Sequence, residues 1–306
     1  MKPNQLHAFV AVAAQMSIRG AARQLGVSAP AVTKIIRELE REIGAPLVER
    51  SVKGIALTEY GAALLPRARL LLDDMQRARD EIVQLRDGSF GHVRVAVSTS
   101  FAQTVFVPAY RLLRERRPGV TVHVTESGLP GTLARLRDAQ ADFAIMHVDP
   151  QTLDDDFVSE PLAPVRLMLG VRNKHPLRNR RAVRDFLDAE WVLPGGGNDP
   201  MSATKWLFGS FGLPVPSRVV HGDSISTALA LVAQMDHVGF FVEPLADEVF
   251  KRMGIRRVEL DDPMPVLQIC AIQRRGSALT PAAAQFIDCV RDALTPLPSR
   301  RSPAGA

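Results

Sequence analysis

Apolar residues recur at helical spacing through the first part of the chain. Leu6, Phe9, Val10 and Ala13 fall on one face of a first helix, and Ala21, Ala22 and Leu25 on one face of a second. Ser17 precedes the second helix as an N-cap, because its hydroxyl accepts an otherwise orphaned backbone N–H. Gly26 follows it, because glycine takes the left-handed C-terminal conformation without a Cβ clash. Ser28 opens a third helix with Pro30 in its first turn, where a missing N–H costs little. Within that helix Val32, Ile36, Leu39 and Ile43 predict a buried stripe, while Thr33, Lys34, Arg37 and Arg41 occupy another side.

Two helices joined by a short glycine turn, the second with one apolar and one cationic face, predict a helix-turn-helix whose second helix is offered to the major groove of DNA. A single amphipathic helix of this kind is more simply a solvated surface helix. Here the small-residue helix, the turn, both caps and the polar face agree. Two short extended runs then flank Ser51 to Gly54 and predict a hairpin, with Arg50 and Lys53 at its tip suited to phosphate. The expectation is a winged helix-turn-helix.

Thr58 is placed to cap a long helix reaching about Gly88, with Glu59 favourable in its first turn. Leu64, Ala68, Leu71, Met75, Ala78, Ile82 and Leu85 alternate spacings of four and three, which is a heptad seam. Pro66 permits either a helix start or a bend. A seam this long, leaving a small domain, predicts a partner helix.

Beyond Gly91 the pattern changes to alternating strands and helices, the mark of a mostly parallel sheet flanked by helices. Strands are expected at 93–97, 120–125 and 142–146, with helices at 104–117 and 132–139 between them. A second cycle starts near Val165, with strands at 166–171, 191–193, 218–221 and 238–242 and helices at 201–211 and 224–233. A strand at 266–273 and a helix at 281–294 close the chain. Two lobes imply a cleft, and α/β sheets hold ligands at the carboxyl ends of their strands.

Polar segments fall at those ends. They give the candidate ligand residues Ser98, Ser100 and Phe101 after the first strand, Ser127 and Gly128 after the second, and His147 after the third. In the second lobe Asn198 and Ser202 lead into one helix, and Asp223 and Ser224 into another. Hydroxyls and free N–H groups at helix starts attract a carboxylate or similar anion, although the same residues cap helices everywhere. Glu126 beside Ser127 works against a pocket for a plain anion, since its carboxylate repels an acid unless it points away or pairs with a cation.

Composition sharpens this picture only in part. A chain of 306 residues holds two or three units at about 150 residues each. A net charge of +5 permits a polyanionic partner. Cys270 and Cys289 show no metal-ligand spacing and suit a reducing compartment as small buried hydrophobes. The N-terminus lacks a signal-peptide core and no apolar run reaches the ~20 residues of a membrane span, so a cytoplasmic location is expected. Gly195 to Gly197 fits neither the dinucleotide fingerprint nor the phosphate loop, and no cofactor or metal is expected. His123 stands on a predicted strand, and His221 lies beside Asp223 with no third catalytic group in sight. An alternative is a cytosolic solute-binding or enzymatic α/β protein whose N-terminal unit serves only oligomerisation.

Residues 3–60 resemble the DNA-binding domain of the LysR-type transcriptional regulators. The resemblance is carried by Leu6 and Phe9, Ser17 before Ala21-Ala22 and Leu25, the segment Val27-Ser28-X-Pro-Ala-Val32, Ile36-X-X-Leu-Glu40, Leu47 to Arg50, and Leu57-Thr58 before Gly61. It implies an α+β multidomain chain with a winged helix-turn-helix at 1–60 and a dimerising linker helix at 61–90. A two-lobed effector domain similar to periplasmic binding proteins follows at 91–306, with lobe I at 91–162 and 266–296 and lobe II at 163–265. It also implies contact of DNA by Ser28, Ala29, Pro30, Thr33, Lys34, Arg37, Arg41, Arg50 and Lys53, and an effector acid group held near Ser98 and Ser100. The further implied partners are a small organic acid, RNA polymerase and other copies of the chain, as a dimer or dimer of dimers. One departure stands out: the family usually has Gln where this chain has Ala29, and alanine makes no bidentate bond to adenine.

Overall fold

The computed structural model describes residues 1–51, 54–87, 90–193, 201–222, 224–246 and 249–295. They form two compact units, one of Met1–Arg86 with Arg137–Gln140, the other running from Asp87 to Leu136 and on from Ala141.

The first unit contains α1 (Pro3–Gln15), α2 (Ile18–Leu25), α3 (Ala29–Ile43), β1 (Val48–Ser51), β2 (Gly54–Leu57) and α4 (Glu59–Asp87). Leu6, Phe9 and Val12 of α1, Ala21 and Ala22 of α2, and Val32, Ile36 and Leu39 of α3 bury together. The alanines of α2 let the neighbouring helices approach closely. Ser17 and Ser28 both act as N-caps, accepting from Gly20 N and Ala31 N. Gly26 closes α2 at φ +67°, a conformation that a Cβ disfavours. Ile43 departs from the predicted stripe and is exposed, because α3 ends there; the chain turns at Gly44 and Leu47 fills the core instead.

β1 and β2 pair antiparallel from Val48↔Leu57 to Ser51↔Gly54, giving the expected hairpin. Three contacts tie it down. Glu40 Oε1 of α3 accepts from Leu47 N at 2.8 Å and Val48 N at 3.2 Å. Ile55 N donates to Met16 O at 3.0 Å. Thr58 caps α4 by accepting from Gly61 N at 3.1 Å while donating to Pro46 O at 2.6 Å. Gly61 lies so close to the hairpin that a Cβ there would stand 2.0 Å from Leu47 O.

The helix α4 runs 29 residues with Pro66 inside it, so the proline neither starts nor ends it. Leu64, Leu65, Ala68 and Leu72 pack on the core of the first unit. Farther along the heptad seam, Leu71, Met75, Ile82 and Leu85 are exposed, the last two by 67% and 69%. That is unmatched apolar surface on a helix.

The second unit begins with β3 (Phe90–Val97), α5 (Thr99–Thr104), α6 (Phe106–Arg116), β4 (Gly119–Glu126), α7 (Leu129–Arg137) and β5 (Phe143–Val148). There follow β6 (Phe157–Arg172), β7 (Glu190–Leu193), α8 (Met201–Gly209), β8 (Val219–His221), α9 (Ile225–Gln234) and β9 (His237–Val242). It ends with α10 (Val249–Met253), β10 (Ile255–Val258), β11 (Val266–Arg274) and α11 (Pro281–Leu294). The strand order is β4-β3-β5-β11-β6-β9-β7-β8, with β10 also on β6.

Two parallel triples lie in this sheet, β4-β3-β5 in one lobe and β9-β7-β8 in the other. The antiparallel strands β6 and β11 join them, so the sheet is mixed rather than mostly parallel. The expected strand near Arg166 is the second half of β6, which already starts at Phe157 and crosses between lobes without a break. The ladder slips opposite Leu162, between Ala163↔Ile269 and Pro161↔Cys270. Pro161 and Pro164 have no N–H for the ladder, and a bulge is how a sheet accommodates that. The predicted helix at 104–117 is α6, and the short α5 precedes it, the two meeting at Val105. The short α10 and β10 were not foreseen, being too brief to show a period.

The strands β5 and β9 are buried almost throughout, as expected of strands covered on both faces. In one lobe Phe143 and Phe106 meet Phe286 of α11 edge-on. In the other Trp191 packs on Phe208 and Phe240, and its indole N–H donates to Phe186 O at 2.8 Å.

Gly61→Ala is expected to destabilise the first unit by about 1–3 kcal/mol, as overpacking does. Amide exchange at Leu47 and Val48 should accelerate while exchange in β5 and β9 stays unchanged. Equal protection in both proteins would contradict the close approach.

Candidate functional site

Two groups of residues emerge, one in each unit. The first is the outer face of α3. The buried stripe leaves Pro30, Thr33, Lys34, Arg37, Glu38 and Arg41 on another side of the helix, and these six line one open concavity together with Ala29, which is half-buried against the core. Lys34, 79% exposed, stands 4.0 Å from Glu38. Arg37 and Arg41 are exposed as well. Thr33 donates its hydroxyl to Ala29 O at 3.0 Å. Ser28 stands just before this surface, its hydroxyl engaged as the cap. The side chain of Arg50 and all of Lys53 lie outside the described residues. Glu38 was not singled out from sequence, since an acid on a cationic face reads as helix-surface pairing. Nor was the role of Glu40, whose partners follow across a turn.

The second group forms at the carboxyl ends of β3, β4 and β5. Parallel pairing sets Val97 beside Ile145 on one side and beside Glu126 on the other. Residues just beyond those positions must then come together, although nearly 50 residues separate some of them in sequence. Ser98 N donates to Ile145 O, and Ser127 N to Val97 O. Ser98 Oγ and Ser100 Oγ lie 3.0 and 3.2 Å from His147 Nδ1. Ser98 Oγ also caps α5 by accepting from Phe101 N. Thr104 holds the backbone of Ser100 by donating to its carbonyl at 2.7 Å. Ser127 Oγ is 2.8 Å from Thr132 Oγ1, with Gly128 exposed beside it.

Burial decides the charge of this cluster. His147 keeps a partly exposed edge but is densely surrounded, and desolvation pushes its imidazole down from 6.5 to about 4. It is therefore neutral at pH 7 and meets the two hydroxyls as a hydrogen-bonding group, not as a cation. Glu126 is exposed at the end of β4, next to the serines.

Phe101 corrects the expectation. Its ring is 1% exposed in the hydrophobic core, so only its backbone takes part at the helix start. In the other lobe, Gly222 N donates to Leu193 O, and Ser224 caps α9 by accepting from Thr227 N at 3.2 Å. Register places the carboxyl ends of both triples toward the crossover, since Val148 pairs with Gln268 and Val242 with Leu167. Asn198, Asp223 and the side chain of Ser202 lie outside the described residues, so the His221–Asp223 pair is not described either. Cys270 and Cys289 are free and buried, and burial pushes the Cys270 thiol up to about 11. No helix among the described residues is long and apolar enough to cross a membrane.

Comparison with known proteins adds family evidence. Residues 3–62 match the model for bacterial regulatory helix-turn-helix proteins of the lysR family, and residues 86–295 match the LysR substrate binding domain. The chain is 31% identical over 261 residues to the HTH-type transcriptional regulator GbpR of Azospirillum brasilense, covering 83% of this chain and 75% of that one. It is 24% identical over 294 residues to the HTH-type transcriptional regulator TdcA of Escherichia coli K12, covering 95% and 93%. In fold it is similar to full-length CbnR in complex with its target DNA, with TM-score 0.69, 23% identity, and coverage of 96% of this chain and 100% of that one. ArgP from Mycobacterium tuberculosis gives TM-score 0.70 at 20% identity, covering 96% and 97%.

The depressed pKa of His147 has a sign that can be checked. Unfolded histidine takes up its proton near 6.5, before the folded one does near 4. Stability is therefore complete above about pH 6.5 and falls as pH drops toward 4, by at most about 1.4 kcal/mol per pH unit. His147→Asn should lose less urea resistance between pH 7 and pH 5 than the parent. An NMR titration showing His147 protonated at pH 6 would contradict this.

Proposed function

The chain belongs to the LysR family of bacterial transcriptional regulators, and we propose that it reads DNA through the outer face of α3 and answers to a small organic acid held at the strand ends of its effector-binding domain. We assign residues 1–60 to DNA binding, 61–90 to pairing and 91–306 to effector sensing, with lobes I and II as divided above.

The observation that carries the DNA reading is the open concavity of α3, where Lys34, Arg37 and Arg41 share a surface with the start of the helix. Helix-turn-helix proteins place that start against base edges. Ser28, Ala29, Pro30 and Thr33 take that position, and the cations, joined by Arg50 and Lys53 of the wing, take phosphates. The similar fold of CbnR, solved with its target DNA, supports the reading.

In the effector domain, Ser98, Ser100 and Ser127 offer neutral donors at one set of strand ends, and Ser224 stands at the other. Asn198, Ser202 and Asp223 complete the second side. An acid group fits the hydroxyls, and a donor elsewhere on the same molecule fits Glu126. Such a ligand shifts the population of two arrangements by binding one more tightly.

The bare seam of α4 fits a second copy of the chain, which brings two recognition helices to two half-sites. Assembly into a dimer of dimers, contact with RNA polymerase and action in the cytoplasm complete the proposal. The alternative of a solute-binding or enzymatic α/β protein with an N-terminal oligomerisation module is set aside, because the relatives are regulators.

Two variants test the two sites. Arg37→Ala should weaken DNA binding and reduce the slope of log affinity against log salt by about 1, measured by gel shift across a salt series. An unchanged slope removes Arg37 from the interface. Replacing Ser98 and Ser100 together with alanine should abolish ligand-induced thermal shifts by organic acids, at a cap cost of about 1 kcal/mol, with DNA affinity intact. A retained shift places the pocket elsewhere.

A further inference from the structure

We infer that the first turn of α3 recognises thymine by its 5-methyl group and makes no amide or guanidinium contact to a base edge there. The inference rests on the proposal that α3 enters the major groove, and it follows from the side chains at the start of that helix, none of which carries an amide or a guanidinium.

The side chain of Ala29 has no polar atom. Pro30 has neither a polar side chain nor a backbone N–H. The Thr33 hydroxyl donates to Ala29 O at 3.0 Å, which leaves its methyl as the free end of the side chain. Ser28 Oγ receives Ala31 N at 3.3 Å and keeps one hydroxyl hydrogen, a single donor and not a fork. All three of Ala29, Pro30 and Thr33 line the open concavity. Beyond its hydroxyls, what this turn presents is thus a half-buried methyl, an exposed pyrrolidine ring and a second methyl. The cations stand a turn or more farther along, at Lys34, Arg37 and Arg41, and Lys34 is shared with Glu38 at 4.0 Å.

In the major groove each base pair shows a distinct pattern, and the thymine methyl is the one apolar feature of the set. Adenine and guanine are read by side chains with two polar atoms in a fork, which this turn lacks. An apolar surface set against adenine N6 and N7 or guanine O6 leaves those groups unpaired, which is unfavourable. Set against a thymine methyl it buries apolar area on both sides. The same surface also fits the methyl of 5-methylcytosine.

The test uses the full-length protein. A binding site is first selected from a random duplex library, then each thymine of each half-site is replaced by deoxyuridine, which removes only the methyl. One or two positions per half-site should lose affinity about 3- to 5-fold, the factor expected for one buried methyl. At those positions 5-methylcytosine should bind better than cytosine. Thr33→Ser keeps the hydroxyl and removes the methyl, so its loss and the deoxyuridine loss at the matching position should not add. Ala29→Gln should shift the selected base toward adenine. Equal affinity for thymine and uracil at every position, with the selected site still bound tightly, would overturn the inference alone. Failure to enrich any sequence would overturn the DNA reading and the inference with it.

Discussion

The carboxylate of Glu40 sets the geometry of the N-terminal unit. It is on α3 yet accepts both Leu47 N and Val48 N, the first donors of the hairpin. Hydrogen bonds to an ionised acceptor are among the stronger kind in a protein. The carbonyl of the same Leu47 accepts Thr58 N at 3.1 Å, at the start of α4, and Gly61 keeps the space beside it clear. One buried residue is therefore held by its N–H from α3 and by its C=O from α4. Recognition helix, hairpin and long helix are indexed to a single residue, Leu47. The angle between α3 and the hairpin is thereby fixed by backbone contacts and not by the exposed side chains.

The second unit depends on a different constraint, the continuity of β6. Its 16 residues begin in one lobe and end in the other, and β11 returns beside it. Prolines interrupt the ladder where the lobes change, and the bulge there concentrates the irregularity at one place. Both parallel triples end toward this crossover, so a small rotation about it changes the spacing of their strand ends. On the proposed reading, a ligand bridging those ends gains differential affinity for one spacing, which is the thermodynamic requirement for a switch. The neutral state of His147 matters to the same point. A cation there would hold an acid strongly in either arrangement, whereas hydroxyl and imidazole bonds depend on direction.

Much of this was legible in the residues. The caps at Ser17, Ser28 and Thr58, the glycine turn and the hairpin follow from local rules, because each partner lies within a few residues. The strand ends were legible as a place for chemistry, because alternation of elements implies them. What escaped was non-local. That Ser98 meets His147 follows from the register of β3 on β5, which sequence pattern does not specify. Phe101 was read as a ligand contact because its segment is polar, yet its position in α5 turns the ring into the core. The change of lobe at residues 162–163 was legible, but that one continuous strand carries it was not, because Pro161 and Pro164 lack the N–H of a regular ladder and the bulge that accommodates them is not a sequence pattern. Ile43 fitted the periodicity of α3 but lay where the helix had already run out of core to cover.

The composition of α3 also bears on why the exposed stretch of α4 belongs to the same design. On the proposed reading, the cations of α3 bind phosphates, which supplies affinity without sequence. Discrimination then falls to a few apolar contacts, each worth about 0.8 kcal/mol per methyl and so roughly fourfold. One such helix separates its site from random DNA poorly. Two helices fixed at a set spacing add their discriminations in free energy and multiply them in ratio, and the spacing itself excludes most sequences. A chain with alanine at position 29 relies more on pairing than one with a forked amide there. Leu71, Met75, Ile82 and Leu85, bare on a helix whose start is bonded to the same Leu47 that Glu40 of α3 holds, supply the apolar surface such pairing requires.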